Sequence, residues 1–214
     1  MIDINIKTDY DSLDYPSLKE VCQSCTKCEL SQNRTHVVVG SGPVPCNLMV
    51  IGEGPGEQED MKGLPFVGRS GQLLTKMLDS VGIDREKEAF IANIVKCRPP
   101  QNRNPLPSEI EACKPYLIRQ IQLIKPKIIM LLGSPSLKTI LEDQLTITRA
   151  RGKWVTAKVS YMPELLYIIP TFHPSYLLRN ASKEKGSPKW LAWNDMKEVK
   201  AALSFYDTEV LEQV

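Results

Sequence analysis

The apolar positions of the chain fall into four short segments, each followed by a loop and then by a helical pattern. The segments cover residues 48–51, 90–95, 128–132 and 167–170. They are rich in Ile, Val and Leu and do not alternate cleanly with polar residues, which is typical of strands that are buried on both faces of a sheet. We therefore predict four strands that belong to one parallel sheet.

Helical periodicity appears between these strands. Apolar residues three and four positions apart predict helices over 71–81 and 109–124, each with one buried face. A serine followed by proline, at 134–135 and again at 187–188, has the order of an N-cap and a first-turn proline. These two pairs predict helices that run to about residues 141 and 205.

Strand and helix thus alternate four times, which is typical of a sheet covered on both faces. The predicted fold class is α/β, a three-layer α/β/α sandwich with a central, mainly parallel four-stranded sheet. Residues 146–164 predict a short hairpin. No repeat or low-complexity linker divides the chain, so we predict a single domain over residues 1–214 with a cysteine-rich amino-terminal segment.

In a parallel sheet of this kind, ligands bind beyond the carboxyl ends of the strands. Four loops occupy that edge in the predicted fold: GEGPGEQED, KCRPPQNRNP, GSPS and TFHPSYLLRN. We expect the functional site to be built from these loops.

Charge changes this picture only locally. The 27 Lys and Arg residues oppose 25 Asp and Glu residues, and the net charge of +2 neither favours nor excludes nucleic acid. Basic residues nevertheless outnumber acids seven to two over 96–127 and nine to four over 151–200, beside the predicted loops. No apolar run approaches the roughly 18 residues of a membrane span, and the amino terminus lacks signal-peptide regions, so we expect a soluble, cytoplasmic protein.

The glycine segment after the first strand is a poor match to a phosphate-binding loop. Its glycines, Gly52, Gly54 and Gly56, fit neither the dinucleotide fingerprint nor the P-loop. The acids Glu53, Glu57, Glu59 and Asp60 would repel an anion, and an isolated aromatic residue follows at Phe66. A tight turn is one interpretation, and a flat, neutral ligand stacked on the aromatic ring suits the same residues.

Five of the six cysteines have the spacing of metal ligands. Cys22, Cys25 and Cys28 form C-x-x-C-x-x-C, and Cys97 and Cys113 follow at a distance. In a reducing compartment such cysteines hold metal more often than they form disulfides, and both zinc and an iron–sulfur cluster accept four thiolates. The sixth, at position 46, is interpreted as a buried small hydrophobic residue.

His173 and Asn93 are the polar residues best placed for chemistry. His173 follows the last predicted strand, where a catalytic donor is expected, although a satisfied, partly buried histidine has the same sequence signal. His36 is interpreted as a structural or surface residue. Asn93 lies among apolar residues near a strand end, so its amide either pairs with backbone or is held ready for a ligand.

Taken together, these stretches resemble the family 4 uracil-DNA glycosylases in their order and spacing. The motifs are GEGPGEQED, GLPFVGRSGQLL, NIVKCRPPQNRNPLPSE and HPSYLLRN, with RGKW at 151–154 and GSPK at 186–189. The resemblance runs from about Cys25 to the helix after Ser187. It implies an α/β/α fold, a [4Fe–4S] cluster and the excision of uracil from DNA, the first step of base excision repair of deaminated cytosine.

The resemblance also implies roles for individual residues. It assigns the cluster ligands to Cys25, Cys28, Cys97 and Cys113, with Cys22 as an extra cysteine. It places Phe66 in a stack with the flipped uracil, Asn93 on the uracil edge, His173 as a donor to uracil O2 and Glu59 as a barrier to the thymine methyl group. Family 1 relatives orient water with an aspartate where this chain has Gly54, so Glu53 and Glu59 are expected to help only modestly.

The resemblance also predicts residues that contact DNA. The residues concerned are Leu177, as a wedge that enters the duplex, and Arg98, Arg103 and Arg179, as phosphate contacts. The partner is uracil-containing DNA, single- or double-stranded, bound by a monomer with a possible sliding-clamp contact. The alternatives are a non-catalytic iron–sulfur protein that binds DNA and a zinc-stabilised nucleotide-binding module. Relatives that form a covalent adduct with DNA through a histidine carry a basic insertion that residues 60–68 lack.

Overall fold

The computed structural model describes residue 5 and residues 7–141, 146–160 and 165–211, with side chains up to residue 206. The strands are β1 (Leu48–Gly52), β2 (Ala89–Asn93), β3 (Ile128–Leu132), β4 (Val155–Lys158) and β5 (Leu165–Thr171). The helices are α1 (Tyr15–Gln23), α2 (Glu57–Lys62), α3 (Arg69–Asp79), α4 (Arg85–Glu88), α5 (Pro107–Ile124), α6 (Gly133–Leu141), α7 (Ile147–Ala150), α8 (Pro174–Arg179) and α9 (Pro188–Leu211). None of these described helices is long and apolar enough to cross a membrane.

The strands form one sheet in the order β2-β1-β3-β5-β4. The first four are parallel, and β4 pairs antiparallel with β5 at the edge. The predicted α/β class with its mainly parallel sheet is confirmed, but the predicted count of four strands was wrong, since the described sheet has five. The edge strand Val155–Lys158 alternates partly buried and exposed residues, so it has no continuous apolar run to reveal it.

The predicted hairpin over 146–164 was also wrong in its pairing. Residues 147–150 form the short helix α7, and the partner of β4 is β5, which lies beyond the predicted stretch. Residues 161–164 lie outside the described residues.

Alternate residues of the parallel strands face two separate cores, which gives the three-layer architecture. On β1, Met49 and Ile51 belong to the core shared with α1, α5 and α6, whereas Leu48 and Val50 belong to the core shared with α3 and α9. All five residues of β1 are buried. The carboxyl ends of the parallel strands therefore meet at one edge, where the loops can converge.

The two predicted serine N-caps differ in outcome. Helix α9 begins at Pro188 as predicted, and Ser187 Oγ accepts a hydrogen bond from the Trp190 amide at 3.4 Å. Helix α6 begins at Gly133, directly after β3, so Ser134 lies inside the first turn and the predicted cap at that position was wrong.

The RGKW stretch ties helix α9 to the end of β5. The Arg151 guanidinium forms a two-point ion pair with Asp195 on α9 and donates to the Leu191 carbonyl at 3.2 Å. Thr171, the last residue of β5, donates to the same carboxylate at 2.6 Å. Because Asp195 is buried, these bonds satisfy a charge that would otherwise be costly, and they fix the strand end two residues before His173.

Candidate active site

A cleft opens at the carboxyl edge of the sheet, where the sequence predicted the functional site. Eight of the ten predicted non-cysteine site residues line it, and Arg98 and Leu177 do not. The eight are Glu53, Gly54, Glu59, Phe66, Asn93, Arg103, His173 and Arg179.

Three of these residues converge around the end of β1. A side-chain carbon at Gly52 would lie 2.5 Å from both Asn93 Oδ1 and Phe66 Cζ, so only glycine lets the two side chains meet there. The Phe66 and His173 rings are also neighbours, with centroids 5.8 Å apart. An aromatic face, an amide and an imidazole therefore border one small volume.

Asn93 carries an unsatisfied acceptor into this volume. The residue is 1% exposed, and its Oδ1 has no hydrogen-bond partner among the described residues. A buried acceptor left unpaired costs roughly 1 to 3 kcal/mol. A ligand with an N–H group at this position would remove that cost, which favours the ligand-binding interpretation of Asn93 over backbone pairing.

The hydrogen bonds of His173 determine which ring nitrogen carries the proton. The Ser175 amide donates to Nδ1 at 3.1 Å, and the Ser175 hydroxyl lies 2.8 Å from the same atom. An amide N–H can only donate, so Nδ1 is an acceptor and the neutral ring carries its proton on Nε2. Burial lowers the pKa of His173 to about 4, with a further contribution from Arg179 that Glu59 opposes.

Sequence analysis missed Ser175, although the signal is present. His173 is the N-cap of α8, and a serine two residues later has its amide and hydroxyl on the cap side. The side chain of an N-cap residue accepts from this first turn, so the HPS order itself indicates which nitrogen is occupied.

Glu59 lines the cleft, but its carboxylate is occupied by backbone. Oε1 accepts from the Val67 and Gly68 amides at 2.8 and 2.7 Å, and Oε2 accepts from the Gly56 amide at 3.1 Å. Three charge-assisted bonds of this kind hold two cleft loops together. Their geometry favours a positioning role over the predicted role as a barrier to the thymine methyl group.

Glu53 and Gly54 occupy the position where the resemblance to the glycosylases places a water-orienting group. Burial raises the pKa of Glu53 above its usual value, and the residue is half-buried in the cleft wall. A side chain at Gly54 would begin 2.9 Å from Val95 Cγ2, so even its first carbon would require Val95 to move. The glycine therefore follows from close packing of the β1 loop on the segment after β2.

The predicted phosphate-contacting arginines differ in their surroundings. Arg103 forms a two-point ion pair with buried Glu109, at 2.9 and 2.6 Å, which ties the loop after β2 to the start of α5. Arg98 lies outside the cleft lining and donates to Asn102 at 2.9 Å. Arg179 lines the cleft at the end of α8.

Leu177 is not placed as the predicted wedge. It is 1% exposed and packs with Phe172 and Ala192 in a small core beneath α8. Its neighbour Leu178 is 38% exposed. The helical turn after His173 points the first leucine inward and the second outward, so the burial of Leu177 disagrees with the predicted wedge and Leu178 is the exposed leucine of this turn.

The five spaced cysteines meet in one cavity. Cys22, Cys25, Cys28, Cys97 and Cys113 all line it, together with the buried Lys96 and with Arg34, whose Nη1 lies 3.3 Å from Cys97 Sγ. Burial raises the pKa of Cys22 to about 12 and that of Cys113 to about 11, so thiolates here require a compensating cationic group.

The thiols around the cavity do not form a site for a single ion within the described part of the chain. Among the described residues, no three His, Cys, Asp or Glu side chains converge closely enough to bind one ion. Thiolates that each bind a different iron of a cluster need no such convergence. Cys46 lies outside the cavity and is buried, in agreement with its structural interpretation, and His36 pairs with the Asp60 carbonyl at 2.9 Å.

Comparison with known proteins gives a family model and several relatives that agree with one another. Residues 39–197 match the model of the Uracil DNA glycosylase superfamily. A type-4 uracil-DNA glycosylase of Thermotoga maritima is 47% identical over 171 residues, covering 78% of this chain and 84% of that protein. The type-4 uracil-DNA glycosylase of Sulfurisphaera tokodaii is 46% identical over 180 residues, covering 82% of this chain and 80% of that protein. The one of Saccharolobus solfataricus is 41% identical over 199 residues, covering 91% of this chain and 88% of that protein.

Proposed function

Because the chain belongs to the type-4 uracil-DNA glycosylases of the uracil DNA glycosylase superfamily, we propose that it excises uracil from DNA. The reaction is hydrolysis of the N-glycosidic bond, which leaves an abasic site and begins base excision repair. The observation that carries this proposal is the unpaired Asn93 Oδ1, held beside the Phe66 ring and His173.

Recognition begins when the uracil leaves the base stack and enters the cleft. Phe66 offers an aromatic face for the flat base. Asn93 Oδ1 accepts from uracil N3–H, and the amide NH₂ donates to O4, so the amide matches uracil along one edge. Cytosine presents an acceptor at N3 and a donor at N4, and it would leave both amide groups facing like partners.

His173 stabilises the departing base. Cleavage of the glycosidic bond leaves negative charge on uracil, and Nε2–H of the neutral imidazole donates to O2 as that charge develops. A preorganised donor of this type contributes on the order of 3 to 4 kcal/mol to the transition state. Ser175 maintains the required tautomer by occupying Nδ1.

The attacking water has no strong base beside it in this proposal. Gly54 supplies no carboxylate, and Glu53, whose pKa is raised by burial, is proposed to help only modestly as a hydrogen-bond acceptor for water. The bond to the sugar therefore breaks largely before water attacks. A loss of more than about 10⁴-fold in Glu53→Gln would contradict this and indicate general-base catalysis.

Four cysteines would hold the proposed [4Fe–4S] cluster: Cys25, Cys28, Cys97 and Cys113. When bound there, the cluster would cross-link the amino-terminal segment to the loop after β2 and to helix α5. The arrangement of five thiols around one cavity supports this proposal. Arg179 and Leu178 are proposed to contact the DNA strand beside the cleft, single- or double-stranded, with the protein acting inside the cell as a monomer.

Excision is tested with a duplex that carries one uracil and is treated with alkali after incubation. We expect strand breakage at the uracil, none in a matched duplex with thymine, and at least about a 100-fold slower reaction for His173→Ala. Binding to the uracil duplex without any break would support the alternative, a non-catalytic iron–sulfur protein that binds DNA.

A further inference from the structure

The backbone at Phe66 adopts a conformation that an aromatic residue rarely takes. Its φ is 51°, in the left-handed region that favours glycine. Backbone held in this region at a functional site persists only when its surroundings determine it. The groups that hold Phe66 are therefore part of how the cleft is built.

Arg85 holds the carbonyl side of this loop. From α4, its Nη1 donates to the Phe66 carbonyl at 2.7 Å and to Thr75 Oγ1 at 2.9 Å, and its Nη2 donates to the Pro65 carbonyl at 2.7 Å. The side chain is only 12% exposed. The planar guanidinium spans two successive carbonyls, which an ammonium group cannot do with the same fixed geometry.

Glu59 holds the amide side of the same loop. It accepts from the amides of Val67 and Gly68, immediately after Phe66. The first turn of α3 closes the arrangement, since a side chain at Gly71 would lie 1.8 Å from the Phe66 carbonyl oxygen. The Arg85 guanidinium thus binds the carbonyls of residues 65 and 66, and the Glu59 carboxylate binds the amides of residues 67 and 68.

We propose that Arg85 is a positioning residue for uracil excision, acting through Phe66. Arg85 does not line the cleft, so it cannot touch the base, whereas the Phe66 ring does line it. By fixing the strained loop, Arg85 presents the ring in place before uracil arrives, which lowers the cost of ordering the cleft on binding. This inference rests on the proposed function.

The first test compares Arg85→Met with Arg119→Met. Arg119 makes two comparable bonds, both to the Leu13 carbonyl at 3.1 and 2.5 Å, and it does not line the cleft. We expect both variants to unfold at lower temperature, but only Arg85→Met to weaken inhibition by free uracil and to lower kcat/KM by roughly ten- to hundredfold, the range of one base–aromatic stack. Equal losses in the two variants would overturn the proposal.

The second test is a double-mutant cycle on single-turnover excision. In a Phe66→Ala background, Arg85→Met should cause little further loss, because the ring that it positions is gone. Additive losses would show that Arg85 acts by another route and would overturn the proposal. If Arg85→Met does not fold, Arg85→Lys serves in the same cycle. Wild-type protein that fails to excise uracil would instead contradict the proposed function, so the two failures are distinguishable.

Discussion

At the scale of single residues, Asn93 and Gln120 are buried amides in opposite circumstances. Gln120 is satisfied on both sides: it accepts from Lys96 Nζ at 2.6 Å and donates to the Val39 carbonyl at 2.8 Å. Asn93 Oδ1 has no partner within the described chain. The first amide stabilises the fold, whereas the second lowers stability unless a ligand pairs with it.

This contrast predicts opposite effects of the same substitution. Asn93→Leu should leave the free energy of unfolding unchanged or slightly higher, because it removes an unpaired acceptor, while excision falls about 100-fold or more. Gln120→Leu should lower that free energy by roughly 1 to 3 kcal/mol, because the buried Lys96 loses one of its two acceptors. Chemical denaturation and an excision assay measure both quantities; a large destabilisation by Asn93→Leu would contradict the interpretation.

His173 predicts a specific dependence of stability on pH. Its pKa is about 4 in the folded protein and near 6.5 when unfolded, so the unfolded chain binds the extra proton between these values. Stability contributed by neutral His173 is therefore complete above about pH 6.5 and is lost on acidification towards pH 4, by roughly 3 kcal/mol.

The measurement is denaturation of the wild type and His173→Asn from pH 4 to 7, with His36→Asn as the control. The difference in unfolding free energy between wild type and His173→Asn should shrink as pH falls. A constant difference over that range would show that the histidine is not held neutral. Excision should likewise persist below pH 6.5, since Nε2–H remains on a neutral ring.

At the scale of elements, helix α8 separates two adjacent leucines by burial. One turn of helix follows the His173 cap, so Leu177 faces the core beneath it and Leu178 faces outward. Sequence spacing from His173 alone selected the buried leucine, because the direction of a side chain depends on what packs under the helix.

The two leucines provide a matched pair of substitutions. Leu177→Ala should destabilise the protein by roughly 2 to 5 kcal/mol while leaving excision per folded molecule nearly unchanged. Leu178→Ala should leave stability within about 0.5 kcal/mol and slow excision from duplex more than from single-stranded DNA, where no base pair must be opened. The reverse assignment of the two effects would restore Leu177 as the wedge.

At the scale of the whole molecule, a buried lysine joins the cysteine cavity to the cleft. Lys96 lines the cavity, and its Nζ donates to the Asn93 carbonyl at 2.7 Å. The segment from Asn93 to Cys97 therefore belongs to both sites. Loosening the cavity is expected to disturb the end of β2, and with it the proposed contact between Asn93 and uracil.

Loss of the proposed cluster should thus affect colour, stability and excision together. Cys25→Ser is expected to lose the visible absorbance and to unfold at lower temperature, because the amino-terminal segment is no longer cross-linked. Cys22→Ser and the control Cys46→Ser should keep the absorbance. Retained colour in Cys25→Ser, with loss in Cys22→Ser, would contradict the ligand assignment and make Cys22 a ligand. A colourless wild-type protein that contains zinc would contradict the proposed cluster.

Much of the fold could be predicted because the parallel strands are buried on both faces, so that their residues are apolar regardless of neighbours. Strands β1, β2, β3 and β5 overlap the four apolar runs, and the loops after β1, β2 and β5 line the cleft, whereas no residue of the predicted GSPS loop after β3 does. The edge strand β4 was not predicted, because its residues alternate between partly buried and exposed and form no continuous apolar run. The first residue of a helix, such as Gly133 of α6, is set by local backbone geometry. Several different sequences can adopt that geometry, so the sequence does not specify the residue.

The sequence by itself determined which residue types reach the cleft, since strand order along the chain places their loops at one edge. It also grouped the five cysteines by spacing. Only the tertiary structure decided what those residues are free to do: Glu59 is occupied by three amides, Leu177 is buried, Asn93 Oδ1 is unpaired and Arg85 reaches the Phe66 loop. The reason is physical, because hydrogen bonding and burial depend on distances between residues far apart in the chain.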